Sequence, residues 1–379
     1  MGRGSVPENP TGSSARSGEV VLMVGTLKGA FLFTSDAQRN TWTVDGPHFP
    51  GEEVYAVALD QRGGSTRLWA APGNPFFGIT LRRSDDLGAT WSSKEERSVK
   101  FPEDSGLALK HIWQIRPGPD DQPEKMWLGV EPTCLFESTD GGDSFAPVEG
   151  FLNHEHREFW TPGAGGLCLH TIVPHTEDRS KMLVAFSTGG VYKTSDGGAT
   201  WAPSNTGVRA EFLPDKYPEF GQCVHKVVSH PDRPERLFLQ NHWGLYRSDD
   251  WGESWQDIAN GVPSDFGFGM AMHPTDPDTV YIVPLEADMF RCVPEAKLRV
   301  YRTRDAGASW HPLTKGLPQQ DAYETVLRDA LTTDDGSPGG IYFGTRSGKV
   351  YASVNDGDSW ALLHDGLPPV VCVKAATVA

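Results

Sequence analysis

His111, His170 and His225 begin three successive apolar runs at one apparent position of a repeating unit. Three neutral imidazoles that converge with a fourth position open are what a catalytic Zn²⁺ needs, and added carboxylate or water ligands suit Mn²⁺ or Fe²⁺. The expected cofactor is therefore a divalent transition metal. His242 and His154 are candidate further ligands, and Cys168 and Cys223 precede their histidines by two residues, so they point the same way along a strand. Glu131 and Glu155 are candidates for general base or extra ligand, and Arg157, Arg328 and Arg346 for holding an anionic substrate group. Trp113, Trp160 and Trp243 offer flat faces for sugar rings, and Tyr55, Phe268 and Arg328 take the histidine position in other repeats. The competing reading makes the histidines hydrogen-bonders between repeats and the cysteines small buried groups. Lesser candidates are His156, Glu158, Glu286, Asp288, Arg291, Tyr323 and Glu324.

The elements that must position these residues are read from a phrase, Ser/Thr-x-Asp-x-Gly-x-Ser/Thr-Trp, that recurs along the chain. Clear copies run from Ser84 to Trp91, Thr194 to Trp201, Ser248 to Trp255 and Thr303 to Trp310. The copy from Ser138 ends in Phe145, the one from Ser353 to Trp360 carries Asn355 for Asp, and a seventh, with Thr34, Asp36 and Trp42, lacks the glycine. The repeat of roughly 50 residues is the length of a four-stranded propeller blade. In the phrase, the Asp accepts N–H groups of its own turn, the Gly supplies a positive φ and the Trp covers the hairpin.

At these residues the chain resembles the Asp-box, or BNR-repeat, proteins: sialidases, sortilin-type receptors, photosystem II assembly propellers and some glycoside hydrolases. The resemblance implies an all-β fold, here a seven-bladed β-propeller of four-stranded antiparallel blades. Inner strands are expected at residues 54–59, 111–116, 169–174, 224–229, 268–273 and 327–332. The N-terminal repeat starts on a second strand, so the C-terminal segment 370–375 is expected to join that blade and close the ring. Long loops at 92–110, 146–167, 202–222 and 285–297 then gather on the face opposite the repeated turns, at the mouth of the central channel, with the candidate residues. The Arg-Ile-Pro string of the sialidases is missing, which argues against that activity.

Residues 1–18, rich in Gly, Ser, Pro and Arg, are expected to form a disordered tail, with 19–379 as one propeller domain. A net charge of −16 argues against nucleic-acid or anionic-membrane partners. Five scattered cysteines suit a cytoplasmic protein. The leading expectation is a metal-dependent hydrolase or lyase acting on a small-molecule or glycan substrate. The alternatives are a metal-free glycoside hydrolase using two of Glu131, Glu155, Glu158, Glu286 and Asp288, and a non-catalytic propeller with a protein partner.

Overall fold

The computed structural model describes residues 17–64, 66–74, 76, 78–93 and 95–378. Of the expected tail, residues 1–16 lie outside the described residues, while the Gly18 N–H donates to the Val378 carbonyl. Seven antiparallel sheets of four strands follow one another as propeller blades. Blade one holds Val20–Thr26, Gly29–Ser35 and Trp42–His48, with Val370–Thr377 as its inner strand. The inner strands of blades two to seven are Glu53–Asp60, His111–Pro117, Cys168–Pro174, Val224–His230, Gly267–Met272 and Leu331–Thr333.

The C-terminal strand pairs antiparallel with Val20–Thr26 and packs between the inner strands of blades seven and two, so the ring closes as the repeat count implies. The seventh inner strand starts later than expected because Leu327–Ala330 forms a turn, in which the Ala330 N–H donates to the Leu327 carbonyl. In blade two the outer edge of Arg67–Asn74 is shared by two short strands, Gly78–Ile79 and Arg82–Ser84.

The repeated turns hold the blades' outer hairpins. In the turn from Thr194, Asp196 Oδ1 accepts from the Thr200 N–H at 2.9 Å and Oδ2 from the Thr200 hydroxyl at 2.6 Å. Thr194 Oγ1 accepts from the Gly198 N–H at 3.0 Å, and Gly198 has φ 96°, a conformation that favours glycine. The closing tryptophans tie blades together: Trp255 Nε1 donates to Ser204 O and Trp310 Nε1 to Ile258 O, both in the preceding blade.

Between blades lies a series of apolar clusters, such as Trp127, Leu135, Leu169, Val184 and Phe186 between blades three and four. Blades approach so closely that a Cβ on Gly129 would meet the Leu169 carbonyl oxygen at 2.3 Å. Inside the channel, Asp329 receives Lys226 at 2.7 Å and Lys374 at 3.3 Å, which joins blades five, seven and one across the axis. No described helix is long and apolar enough to cross a membrane.

Candidate functional site

Blades two to six share a β-bulge near the start of the inner strand. The register shifts between Val54 and Val57, Ile112 and Gln114, Leu169 and Thr171, Val224 and Lys226, and Gly267 and Met270. A bulge leaves a residue out of the ladder and re-aims its side chain, which is why bulges recur beside functional sites. The residues within these bulges include Tyr55, Trp113, His170, His225 and Phe268.

This register corrects the expected ring of three histidines. Trp113, not His111, is the counterpart of His170 and His225. His111 pairs with Glu131 across the blade as Cys168 pairs with Ser187, and the His242 N–H donates to the Cys223 carbonyl in the same place of blade five. Three successive blades therefore present His111/Trp113/Glu131, Cys168/His170/Ser187 and Cys223/His225/His242.

The three sets behave differently. In blade three, Trp113 Nε1 donates to Glu131 Oε2 at 3.1 Å, and His111 Nδ1 lies 3.4 Å from the same oxygen. His111 Nε2 is 3.9 Å from Glu53 Oε2 on the neighbouring inner strand, so one imidazole stands between two carboxylates. Burial works to raise the Glu131 pKa, yet the contacts with His111 and Trp113 outweigh it and hold the carboxyl below its ordinary value. The His111 side chain is 32% exposed and that of Glu131 12%, so both remain within reach of solvent.

In blade four, His170 is fully buried with both nitrogens engaged: Nε2 donates to the Val224 carbonyl at 2.9 Å and Nδ1 meets the Thr171 hydroxyl at 3.0 Å. Burial, aided by the Arg328 charge, pushes its pKa well down. The expected ligand is thus a neutral inter-blade hydrogen-bonder. In blade five, His225 Nδ1 donates to the Gly267 carbonyl at 2.6 Å, which leaves Nε2 facing Cys223 Sγ at 3.6 Å.

Around the mouth the bulge residues form an aromatic wall. Tyr55 and Trp113 have ring centroids 4.9 Å apart, and His225 and Phe268 4.5 Å apart. The Arg328 guanidinium bridges the gap, 5.4 Å from the Trp113 ring and 5.9 Å from that of Phe268. Two cavities share this wall. One, of 490 Å³, is lined by Tyr55, Trp113, Phe268, Arg291, Arg328 and Arg346 among others. The other, of 310 Å³, reaches Cys223, His225 and His242. Three of the long loops contribute: Ala164 and Gly165 line both cavities, Arg291 does so too, and Phe212 lines the second.

Other expected site residues lie elsewhere. His154 Nε2 donates to the Trp201 carbonyl and Nδ1 accepts the His156 N–H, so neither nitrogen is left for a metal. Trp160 is 5% exposed, with Nε1 on the Tyr192 hydroxyl, and belongs to the core instead of a sugar platform. Arg157 Nη1 donates to the Thr133 carbonyl. Glu155 is exposed on a short helix, Glu155–Phe159, and lines neither cavity. Glu324 is buried against Ser347 and Lys349. Trp243 packs between Phe212 and His242 at the edge of the second cavity. Glu53 was not among the sequence candidates, and its one available signal was its place just before an inner strand.

No family model matches the chain. The photosystem II assembly lipoprotein Ycf48 of Synechococcus sp. (strain CC9902) is 31% identical over 126 residues, which cover 33% of this chain and 31% of that protein. The xyloglucanase of Hypocrea jecorina (strain QM6a) is 24% identical over 286 residues, covering 69% of this chain and 32% of the enzyme. The chain is similar to both in sequence. It spans about a third of the length of these curated relatives. Among solved structures, an ancestral GH74 enzyme superposes with a TM-score of 0.55 at 19% identity, over 82% of this chain and 38% of that one. That likeness is one of fold.

Proposed function

We propose that the channel mouth is a carbohydrate site of glycoside hydrolase type. The observation that carries this reading is the pair of carboxylates, Glu131 and Glu53, on either side of His111, whose ring packs against Tyr55 and Trp113; the pair lies behind these two rings, which themselves line the 490 Å³ cavity. Inverting hydrolysis places its carboxyl groups roughly 6.5–9.5 Å apart with an attacking water between them, so this reading requires the His111 imidazole, which now stands between the two, to turn aside when substrate enters. Glu131, held ionised, takes the proton of the attacking water as the glycosidic bond breaks, and Glu53 is the acid that gives a proton to the leaving oxygen. Tyr55 and Trp113 stack on a sugar ring, while Arg328, Arg346 and Arg291 bind an acidic substituent. Sequence similarity to a xyloglucanase supports a glycan as the ligand class.

The test is a panel of neutral and uronic-acid-containing oligosaccharides, scored for binding and for reducing-end release. Wild type is expected to cleave an acidic glycan, Glu131→Gln to lose at least about 100-fold in rate with binding retained, and Arg328→Ala to weaken binding. Binding without cleavage would favour the non-catalytic reading, for which the similarity to an assembly lipoprotein is the supporting observation. Neither binding nor cleavage across the panel would sink the carbohydrate assignment.

A further inference from the structure

The same three register positions recur in blades three, four and five, and they leave lone pairs converging in only one of them. In blade three, Trp113 takes the bulge and has no lone pair to offer a metal. In blade four, the His170 nitrogens are spent on Val224 and Thr171, and Arg328 Nη1 lies 3.2 Å from Cys168 Sγ. In blade five, Cys223 Sγ, a nitrogen of His225 and a nitrogen of His242 lie within 4.8 Å of one another, the one such group of His, Cys, Asp or Glu donors among the described residues.

The hydrogen bonds around this group prepare it as a ligand set. The Gly267 carbonyl takes the Nδ1 proton of His225 and so fixes the tautomer whose Nε2 lone pair faces Cys223. A carbonyl behind a ligating imidazole is the usual outer support of a metal site. The His242 backbone is tied to Cys223 by its N–H, so two of the donors sit opposite each other on neighbouring backbone segments and the third rises from the bulge between them. Asp288, on the loop after Val280–Pro284, places Oδ2 3.5 Å from His242 Nε2 and has its Oδ1 fixed by the Met289 N–H.

From this geometry we infer a divalent transition-metal site formed by Cys223, His225 and His242, with a fourth position open to the 310 Å³ cavity. A thiolate and two imidazoles form a borderline-soft set that selects Zn²⁺ over Mg²⁺ or Ca²⁺. Three protein ligands with one open position are the arrangement of zinc sites that bind a water or ligand atom. Charge also balances: the Cys223 thiolate and the Asp288 carboxylate offset the two positive charges of the ion, which matters because Arg291 and Arg328 line the same cavity. This site is separate from the Glu131 and Glu53 pair, and its test uses no enzymatic activity.

The experiment is titration of full-length, untagged, chelator-treated protein with Co²⁺, followed by absorption spectroscopy. One equivalent is expected to bind, with a sulfur-to-cobalt charge-transfer band and the intense visible bands of tetrahedral coordination. Cys223→Ser is expected to abolish the charge-transfer band, and His242→Ala to weaken binding by roughly 100-fold or more. Asp288→Asn should cost about tenfold, and His111→Ala nothing. Each variant's circular dichroism melt checks that it is folded, and the wild-type spectrum stands on its own if a variant does not fold. Absence of stoichiometric binding by wild type, a sulfur band that persists in Cys223→Ser, or equal weakening by His111→Ala and His242→Ala would overturn the site.

Discussion

His170 and His225 share one strand position in neighbouring blades yet differ in what their nitrogens are free to do. The first is sealed between blades with both nitrogens bonded, and the second keeps one nitrogen toward a thiol at a cavity wall. His170→Ala is therefore expected to be a stability variant, costing about 2–4 kcal/mol from a buried cavity and lost hydrogen bonds. Chemical denaturation checks this, and Co²⁺ binding should survive wherever the variant is folded. Glu131 makes a different prediction. Because His111 and Trp113 hold its carboxyl below the ordinary glutamate value of 4.5 in spite of burial, it stays ionised into mild acid. If it is the base, the acid limb of the kcat/KM profile should fall below pH 4.5. A limb at or above that value would assign the base to another group.

At the scale of elements, the repeated turn is a set of hydrogen bonds centred on one carboxylate. In Asp196 the bonds from Thr200, and then from Thr194, lower the pKa to about 2 from 3.8. A folded-state pKa below the unfolded one stabilises the protein above pH 3.8, and that contribution is lost as pH falls toward 2. Asp196→Ala is thus expected to melt below wild type at pH 6, with the difference shrinking between pH 4 and pH 2. A difference independent of pH would mean that the charge is not what the turn uses. The turn was legible because all its partners lie within seven residues of one another. The bulge was not, since it is a relation between two strands, and the expected alignment of His111 with His170 and His225 counted along one strand only.

For the whole molecule, closure depends on a strand that comes last in the chain. Val370–Thr377 pairs along the whole of Val20–Thr26 and buries Val370, Val371, Cys372 and Val373. Removing residues 368–379 would expose the inner edge of blade one and break the contacts of blades seven and two with it. Such a truncation is expected to abolish the cooperative melt near the wild-type temperature, as read by circular dichroism. A melt like that of wild type would mean the ring does not need this strand. The repeat count and the odd strand at each end already implied this closure, so the fold was largely written in local patterns.

The seven blades and the closing strand were legible in the chain's repeats. Those properties follow from repeats and turns, whose interactions are short in range. That Trp113 stands where a histidine was expected, that His170 and Trp160 are core, that His111 lies between Glu53 and Glu131, and that Cys223, His225 and His242 converge became visible once the strands were paired. A single extra residue in one strand turns a side chain toward another neighbour, and which residue is extra depends on the partner strand's hydrogen bonds.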